Sequence, residues 1–580
     1  MTSACITACS DVPRGHATMP AMPETILVCV AWPYANTPLH AGQVAGAYLP
    51  ADIFARYHRM RGNRVLMVSG SDAHGTPITV RAESEGTTPE AVYQRNHQSF
   101  LDTFERFGVS FDLFTSTATA NHARVAQRLF EQLRAADYIY PATQTLLFDA
   151  KVGRFLPDRY VEGTCPRCGD PGARGDQCDN CGSTLDALEL VNPRSRLSDA
   201  TPEPRPSEHF FLRLSAFNER LTEWVQAQTH WRPAVRNFTL GLLREGLHDR
   251  AITRDIDWGI PVPVEGFEGK RLYVWFEAVI GYLSASIEWS ETHGQPEAWR
   301  DFWCAPSART YYFQGKDNVP FHTTIWPAML MGSATPEETL NLPYDVPANQ
   351  YVTMSGAKAS SSRNWAVWMP DYLDRHPADP LRYMLSAVMP ETSDSDFTWS
   401  EYVRRNNDEL VATWGNLVHR VLTFTRRNFD ARVPERPAAL SEASQRLLDR
   451  VDAAFAEEGA HIEATQLRAA LQVAMSVAQD ANRYLDERAP WTAIKADRDS
   501  AAETLWTVIN VISGLATLMH PFMPFTSPRA WELAGNTGDL QAAGWHRSEV
   551  AGSAPLPEPA PLFQKLDDSV AAEEEARLGH

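Results

Sequence analysis

The first strongly apolar run, ILVCV at residues 26–30, is short and rich in β-branched residues, the pattern of a strand. A turn-rich stretch, WPYANTP, follows it, and helical spacing begins near His40 and runs through AGQVAGAYLPADIFARYHRMRG. A second strand over Val65–Val68 ends in the polar loop SGSDAHGT. Strand, loop, helix and strand in this order predict a nucleotide-binding α/β domain whose ligands sit beyond the carboxyl ends of the strands. Helical segments continue to about Tyr138, where a Gly-, Pro- and Cys-rich stretch reads as an insertion. Strand-like character returns at RLYVWFEAVIGYL and TYYFQGKD, so the α/β domain is expected to resume near Ala251. Beyond Glu401 the period is helical throughout, as Leu467, Leu471, Ala474, Ala478, Ala481 and Leu485 show, and again Leu505, Val508, Ile509, Ile512, Leu515 and Met519. No internal repeat is evident, and the end from Ser553 is Pro-rich and acidic.

The spacing therefore divides the 580 residues into a loose, disordered tail (1–23), a first α/β half (24–137), the insertion (138–250) and a second α/β half (251–345). A Lys- and Ser-rich segment (346–400) and a helical bundle (401–580) complete the chain. The tail lacks the basic start and apolar core of a secretory signal, and Met19 or Met22 is an alternative start. The longest candidate for a membrane span, Leu505–Met519, holds Asn510 and Ser513, places its large apolar residues at helical spacing and reads as a core helix. A cytoplasmic protein is the expectation.

Charge narrows the partners. The net charge of −19 excludes a general nucleic-acid coat but not a basic groove on an acidic body. Arginines cluster at Arg404, Arg405, Arg420, Arg426, Arg427, Arg432 and Arg436, a pattern that a solvated helix face also produces.

Of eight cysteines, four form Cys165-x2-Cys168-x9-Cys178-x2-Cys181. Each Cys-x2-Cys turn can aim two thiolates at one ion, with Gly163, Gly169, Gly175 and Gly182 supplying tight turns. Four protein ligands predict one structural zinc per chain. Cys5 and Cys9 lie in the tail, and Cys29 and Cys304 read as small apolar residues. Two further segments carry candidate chemistry. PYANTPLHAGQ (Pro33 to Gln43) places a His and a Gly at a helix start, where free amides favour an anion. MSGAKASSSRNW (Met354 to Trp365) offers Lys358 and the hydroxyls of Ser360, Ser361 and Ser362 as a mobile phosphate clamp.

Taken together with VSGSDAHGTPI, FLPDRYVEGTCPRCG, AITRDIDWG, YVWFEAVIGYL, GKDNVPFHTTIWPAML, DELVATWGNLVHRVL and LDERAPW, these segments make the chain resemble the methionyl-tRNA synthetases, class I enzymes, from about Thr25 to the C-terminus. The resemblance implies a Rossmann-type α/β catalytic domain with a zinc-binding connective insertion, a stem-contact segment and an all-α anticodon-binding bundle. It implies charging of initiator and elongator methionine tRNA through a methionyl-adenylate, with ATP and Mg²⁺ as co-substrate; a monomer is the default expectation. Asp72 would meet the substrate ammonium, and Trp32, Tyr34, Trp275, Ala278, Tyr282, Phe321 and His322 would line the thioether pocket. His40, Gly42, Gln43, Lys316, Asp317, Lys358 and Ser360 to Ser362 would hold ATP, with His40, Gln43 and Lys358 acting on the phosphates. Asn416, Arg420 and Trp491 would read a CAU anticodon, one base stacking on the indole while the amide and guanidinium take base edges.

Both ATP signatures depart from the family pattern. The first, normally His-x-Gly-His, reads His40-Ala41-Gly42-Gln43; the second, normally Lys-x-Ser-Lys-Ser, reads Lys358-Ala359-Ser360-Ser361-Ser362. Gln43 donates a hydrogen bond without charge, and Ser361 cannot reach as a lysine would. The departures leave three readings: an active synthetase helped by a cation, a synthetase-like amino-acid ligase of a specialised pathway, and a non-catalytic tRNA-binding relative.

Overall fold

The protein is described here by a computed structural model covering residues 23–157, 160–175, 178, 180–181, 183, 185–358 and 364–579. Cys5, Cys9, Met19, Met22, Gly182 and Ser360 to Ser362 lie outside the described residues.

Five parallel strands form the central sheet: β1 (Thr25–Val30), β2 (Arg64–Ser71), β3 (Leu113–Ser116), β6 (Arg309–Gly315) and β7 (Ala348–Asn349), in the order β7-β6-β1-β2-β3. Ile26, Val28 and Val30 face one core while Leu27 and Cys29 face the other. Burial on both faces is why ILVCV is apolar throughout instead of alternating. The chain builds outward from β1 first to β2 and β3, then returns on the other side as β6 and β7. That reversal opens a crevice beyond the carboxyl ends of β1 and β6.

Helix α1 leaves β1 and has an irregular start: Ala41–Gln43 is α-helical, Val44–Tyr48 is a π turn, and Leu49–Met60 is α-helical again. The second crevice segment repeats the device, with a π turn at Phe321–Ile325 before a helix over Trp326–Gly332. Each π turn ends two residues before a proline, Pro50 and Pro327. A proline within a helix has no N–H for the preceding turn, and the local ladder shifts to i→i+5.

The insertion is built on a long antiparallel ribbon, β4 (Ile139–Asp149) with β5 (Glu203–Leu212). At its tip a separate small core of Leu147, Leu156, Tyr160, Val161, Cys165 and Cys178 surrounds the cysteine knuckles. Helix α2 (Pro233–Glu245) closes the insertion and joins the sheet's core through Val235 and Leu243.

One expectation fails here. RLYVWFEAVIGYL, read as strand-like, pairs only at Arg271–Leu272; Val274–Glu277 is α-helical, Ala278–Ile280 is 3₁₀, and α3 runs over Gly281–Thr292. The segment is buried on nearly every side, so apolar residues occupy all faces and no period distinguishes helix from strand.

After the crevice, Val352–Met354 (β8), Ala357–Lys358 (β9) and Ser395–Phe397 (β10) form a small sheet. The remainder is helical, with α4 (Asn416–Asn428), α5 (Glu442–Glu463), α6 (Leu467–Arg488) and α7 (Arg498–Met519) as its main members. Among the described residues α7 is the one helix long and apolar enough to cross a membrane, and it is buried inside the bundle. The bundle is locked to α1 by Arg382, wholly buried, which donates to Asp52 at 2.6 Å and to the carbonyls of Pro521 and Phe522.

Candidate functional site

The eight residues expected around the amino-acid side chain, Trp32, Tyr34, Asp72, Trp275, Ala278, Tyr282, Phe321 and His322, line one cavity of about 90 Å³ in the crevice, together with Ala31, Val279 and Asn318. A volume this small suits one side chain, far below the roughly 300–1,000 Å³ of pockets for larger ligands. Glycine positions two of its rings. A Cβ at Gly70 or Gly281 would lie 2.4 or 2.6 Å from the Trp32 indole, and one at Gly75 would lie 2.3 Å from Tyr34. The Trp32 Nε1 is buried without a hydrogen-bond partner. Trp275, 43% exposed, donates from Nε1 to the Tyr34 hydroxyl at 3.2 Å and packs edge-on against Phe321, forming the outer wall.

The pocket floor is polar but uncharged. His322 Nδ1 donates to the Asn318 carbonyl at 2.9 Å, so its Nε2 accepts from the Tyr282 hydroxyl at 2.8 Å. Burial pushes this imidazole down to about 4 and the Tyr282 phenol well up, so both stay neutral. At the mouth, Asp72 is 4% exposed and accepts from the His74 amide at 3.2 Å. Burial, and then the nearby charge of Glu277, raise its pKa well above the carboxylate range. An ammonium group arriving here would restore the carboxylate.

Glu277 went unnoticed in the sequence. It is fully buried and accepts from His74 Nδ1 at 3.0 Å and His122 Nε2 at 2.7 Å, while His122 Nδ1 reaches Ser284 Oγ at 2.8 Å. The signal was present: a lone carboxylate inside an apolar run needs buried partners.

On the far side of β1, His40 precedes α1 and the Gln43 side chain accepts from its backbone N–H at 3.1 Å, which leaves the Gln43 amide N–H groups to donate. Burial lowers the His40 imidazole to about 4, and its Nδ1 has no partner. Gly42 lets that ring fold over the helix start, since a Cβ there would sit 3.1 Å from it and 3.7 Å from the Val352 carbonyl. The Lys/Ser-rich loop begins and ends beside this point. Val352–Met354 carries the chain in, Lys358 lies on β9 opposite Thr353, and the chain returns along His40, with a bridge to Trp368 and Ala41 N–H donating to Val367. Lys316 and Asp317 sit at the carboxyl end of β6, Lys316 held 2.9 Å from Asp394 and over the Tyr351 ring, and Asp317 accepting from the Tyr351 hydroxyl.

The four knuckle thiols converge within 4.8 Å of one another. Cys165–Cys181 and Cys168–Cys178 are 3.9 and 3.6 Å apart. Thiolates about 2.3 Å from a tetrahedral ion are separated by about 3.8 Å. The donor set fits one metal ion.

In the bundle, the Arg420 guanidinium lies 4.9 Å from the centre of the Trp491 ring, and donates to Asn482 at 3.2 Å. Asn416 stands one turn before Arg420 on the same face of α4. Arg404 and Arg405 are instead paired with Glu401 and Glu409, Arg426 with Glu558 and Arg436 with Glu549, as a solvated acidic surface would have them.

A parallel sheet with paired loops at its switch point and an aromatic slot beside them is where open α/β folds bind a nucleotide and its co-substrate, and the class it belongs to is the class I aminoacyl-tRNA synthetases. The family described as tRNA synthetases class I (M) matches residues 26–422, and the anticodon binding domain of methionyl tRNA ligase matches 433–579. Methionine–tRNA ligases of Thermomicrobium roseum and Dehalococcoides mccartyi are 54% and 56% identical, each aligned over 96% of this chain and 99% and 100% of their own. The chain belongs to the methionyl-tRNA synthetase family. The fold also matches the crystal structure of Mycobacterium tuberculosis methionyl-tRNA synthetase bound by methionyl-adenylate, with a TM-score of 0.76 at 24% identity over 93% of this chain and 100% of that one.

Proposed function

We infer that the protein is a methionine–tRNA ligase, which joins methionine to ATP as an adenylate and passes the aminoacyl group to tRNA. The observation that carries the assignment to particular residues is the single cavity enclosed by all eight expected side chains. Asp72 would take the ammonium, and the aromatic slot with its neutral Tyr282–His322 floor would take the thioether and reject charged side chains. The carboxylate would then face the crevice between β1 and β6. No protein nucleophile is needed: the methionine carboxylate attacks the α-phosphate, pyrophosphate leaves, and a tRNA ribose hydroxyl displaces AMP. Catalysis is positioning and electrostatics.

His40, Gly42, Gln43, Lys316, Asp317, Lys358 and Ser360 to Ser362 would serve ATP, with Mg²⁺ on the pyrophosphate. The proximity of Gly42 to Val352 supports both signature segments meeting one nucleotide. Gln43 offers a neutral donor where the family pattern has histidine, and the buried His40 Nδ1 has no protein partner. Cys165, Cys168, Cys178 and Cys181 would hold a structural zinc that cross-links the insertion tip. Asn416, Arg420 and Trp491 would read the CAU anticodon of initiator and elongator tRNA, and the protein would act as a monomer.

Amino-acid-dependent exchange of pyrophosphate into ATP tests the assignment across the standard amino acids. Methionine should be activated best; faster exchange with another amino acid would replace this reading by a specialised ligase, and silence with all of them by a tRNA-binding relative. Metal analysis should return about one zinc per chain.

A further inference from the structure

The π turn in α1 has a consequence for how the bundle and the catalytic crevice are joined. The Leu49 N–H bonds to the Val44 carbonyl instead of Ala45, and the next residue, Pro50, has no N–H. The Ala45 carbonyl therefore has no partner within the helix. Asn349, at the end of edge strand β7 and 1% exposed, supplies one: its Nδ2 donates to Ala45 O at 3.0 Å. With its N–H groups committed there, Asn349 turns Oδ1 toward Arg232, whose Nη1 donates to it at 2.8 Å.

Arg232 stands at the N-terminal end of α2 and spends the rest of its fork on the neighbouring Ala348 of β7 and on two other segments. Nη1 also reaches the carbonyls of Ala348 at 3.0 Å and Glu391 at 3.3 Å. Nη2 reaches Thr465 O at 2.8 Å and Thr465 Oγ1 at 3.3 Å. Thr465 is buried, holds a left-handed φ of 54°, and forms the turn between bundle helices α5 and α6. Beside it, Glu391 accepts from the Arg468 N–H at 3.1 Å, a second link to the start of α6.

We propose that Arg232 is a positioning residue that couples the anticodon-binding bundle to the phosphate-facing start of α1, through Thr465 on one side and Asn349 and Ala45 on the other. Every step is a direct hydrogen bond. The last acceptor lies two residues beyond Gln43, in the helix that holds Gly42 and that His40 precedes. A planar fork is needed, because the acceptors lie on two bodies and a single ammonium cannot serve both. The inference rests on the synthetase reading above.

The test compares wild type, Arg232→Met, Arg232→Lys, Asn349→Ala and the double variant Arg232→Met/Asn349→Ala, in methionine-dependent pyrophosphate exchange and in tRNA charging, below each variant's melting temperature. Loss of Arg232 or Asn349 should lower kcat of exchange by about 10- to 100-fold, the scale of a small displacement of catalytic groups. KM for methionine should stay within about twofold, since neither residue lines the pocket. The double variant should fall no more than about twofold below the worse single one, because both act through one chain of bonds. KM for tRNA should rise about fivefold or more in Arg232→Met and stay unchanged in Asn349→Ala, which does not touch the bundle. Arg232→Lys should recover part of kcat or of KM for tRNA but not both.

Additive losses of kcat, or a lowered melting temperature with exchange and KM for tRNA intact, would make Arg232 a structural strut and overturn the proposal. If Arg232→Met does not fold, Asn349→Ala and Arg232→Lys decide between the same outcomes. Wild type that shows no exchange with methionine overturns the functional reading and this inference with it.

Discussion

The amino-acid pocket and the Asn416–Arg420–Trp491 face use similar chemistry, aromatic rings beside polar groups, at opposite degrees of enclosure. In the pocket, Trp32 is clamped between Gly70 and Gly281, Tyr282 and His322 share one hydrogen bond, and Asp72 is nearly inaccessible. In the bundle, Trp491 is half-buried and Arg420 already lies over its ring, held to Asn482 and close to Asp486. In the proposed role the first site would select by excluding water and leaving an unsuitable side chain without partners. The second is open, and in the proposed role a base would have to compete with Arg420 for the same indole. Enclosure makes each pocket residue costly to lose, whereas an exposed contact contributes only its own stacking.

The largest expected effect follows from removing the pocket's only carboxylate. Asp72→Ala should abolish methionine activation, leaving the ammonium buried without a counter-charge at a cost of about 3–5 kcal/mol. Exchange kinetics retaining more than about a tenth of wild-type kcat/KM would remove Asp72 from this role. Next, Gly281→Ala should push the indole out of its slot. Overpacking of this kind costs about 1–3 kcal/mol, so KM for methionine should rise about 10-fold while KM for ATP holds. An unchanged KM would show that Trp32 does not shape the pocket.

Trp491→Ala tests the other side of the comparison. It should raise KM for tRNA by about 5- to 100-fold, the worth of one stacked base, and leave exchange untouched. A fall in exchange would mean that Trp491 supports the fold instead of the tRNA.

The smallest effect is a pH dependence. Asp72 has a raised pKa in the free protein, and binding an ammonium favours its carboxylate, so binding releases a proton. KM for methionine should then fall as pH rises through that pKa, by up to about tenfold per unit. His322 adds nothing above pH 5, since its pKa of about 4 leaves it neutral there. Calorimetry in buffers of different ionisation enthalpy should record the proton; no proton release would place a charged Asp72 in the free site.

Much of this was legible in the residues. ILVCV announced a strand, the Cys-x2-Cys pairs announced thiols that converge on one point, and the long periodic helices α6 and α7 announced a bundle. Each is a local rule: continuous hydrophobicity, fixed ligand spacing and 3.6-residue periodicity act within one segment. What tertiary structure alone decided involves partners far apart in the chain. RLYVWFEAVIGYL turns helical from Val274, and its burial on nearly every side erases the period that would have revealed the helix. Glu277 stays charged in the core because His74 and His122 arrive from two other segments, about 200 and 155 positions away. Pro50 could be read from the sequence, but the carbonyl it strands on Ala45 is satisfied by Asn349, 304 positions on, and Asn349 in turn by Arg232. A buried polar group must find a partner, yet nothing local says which one.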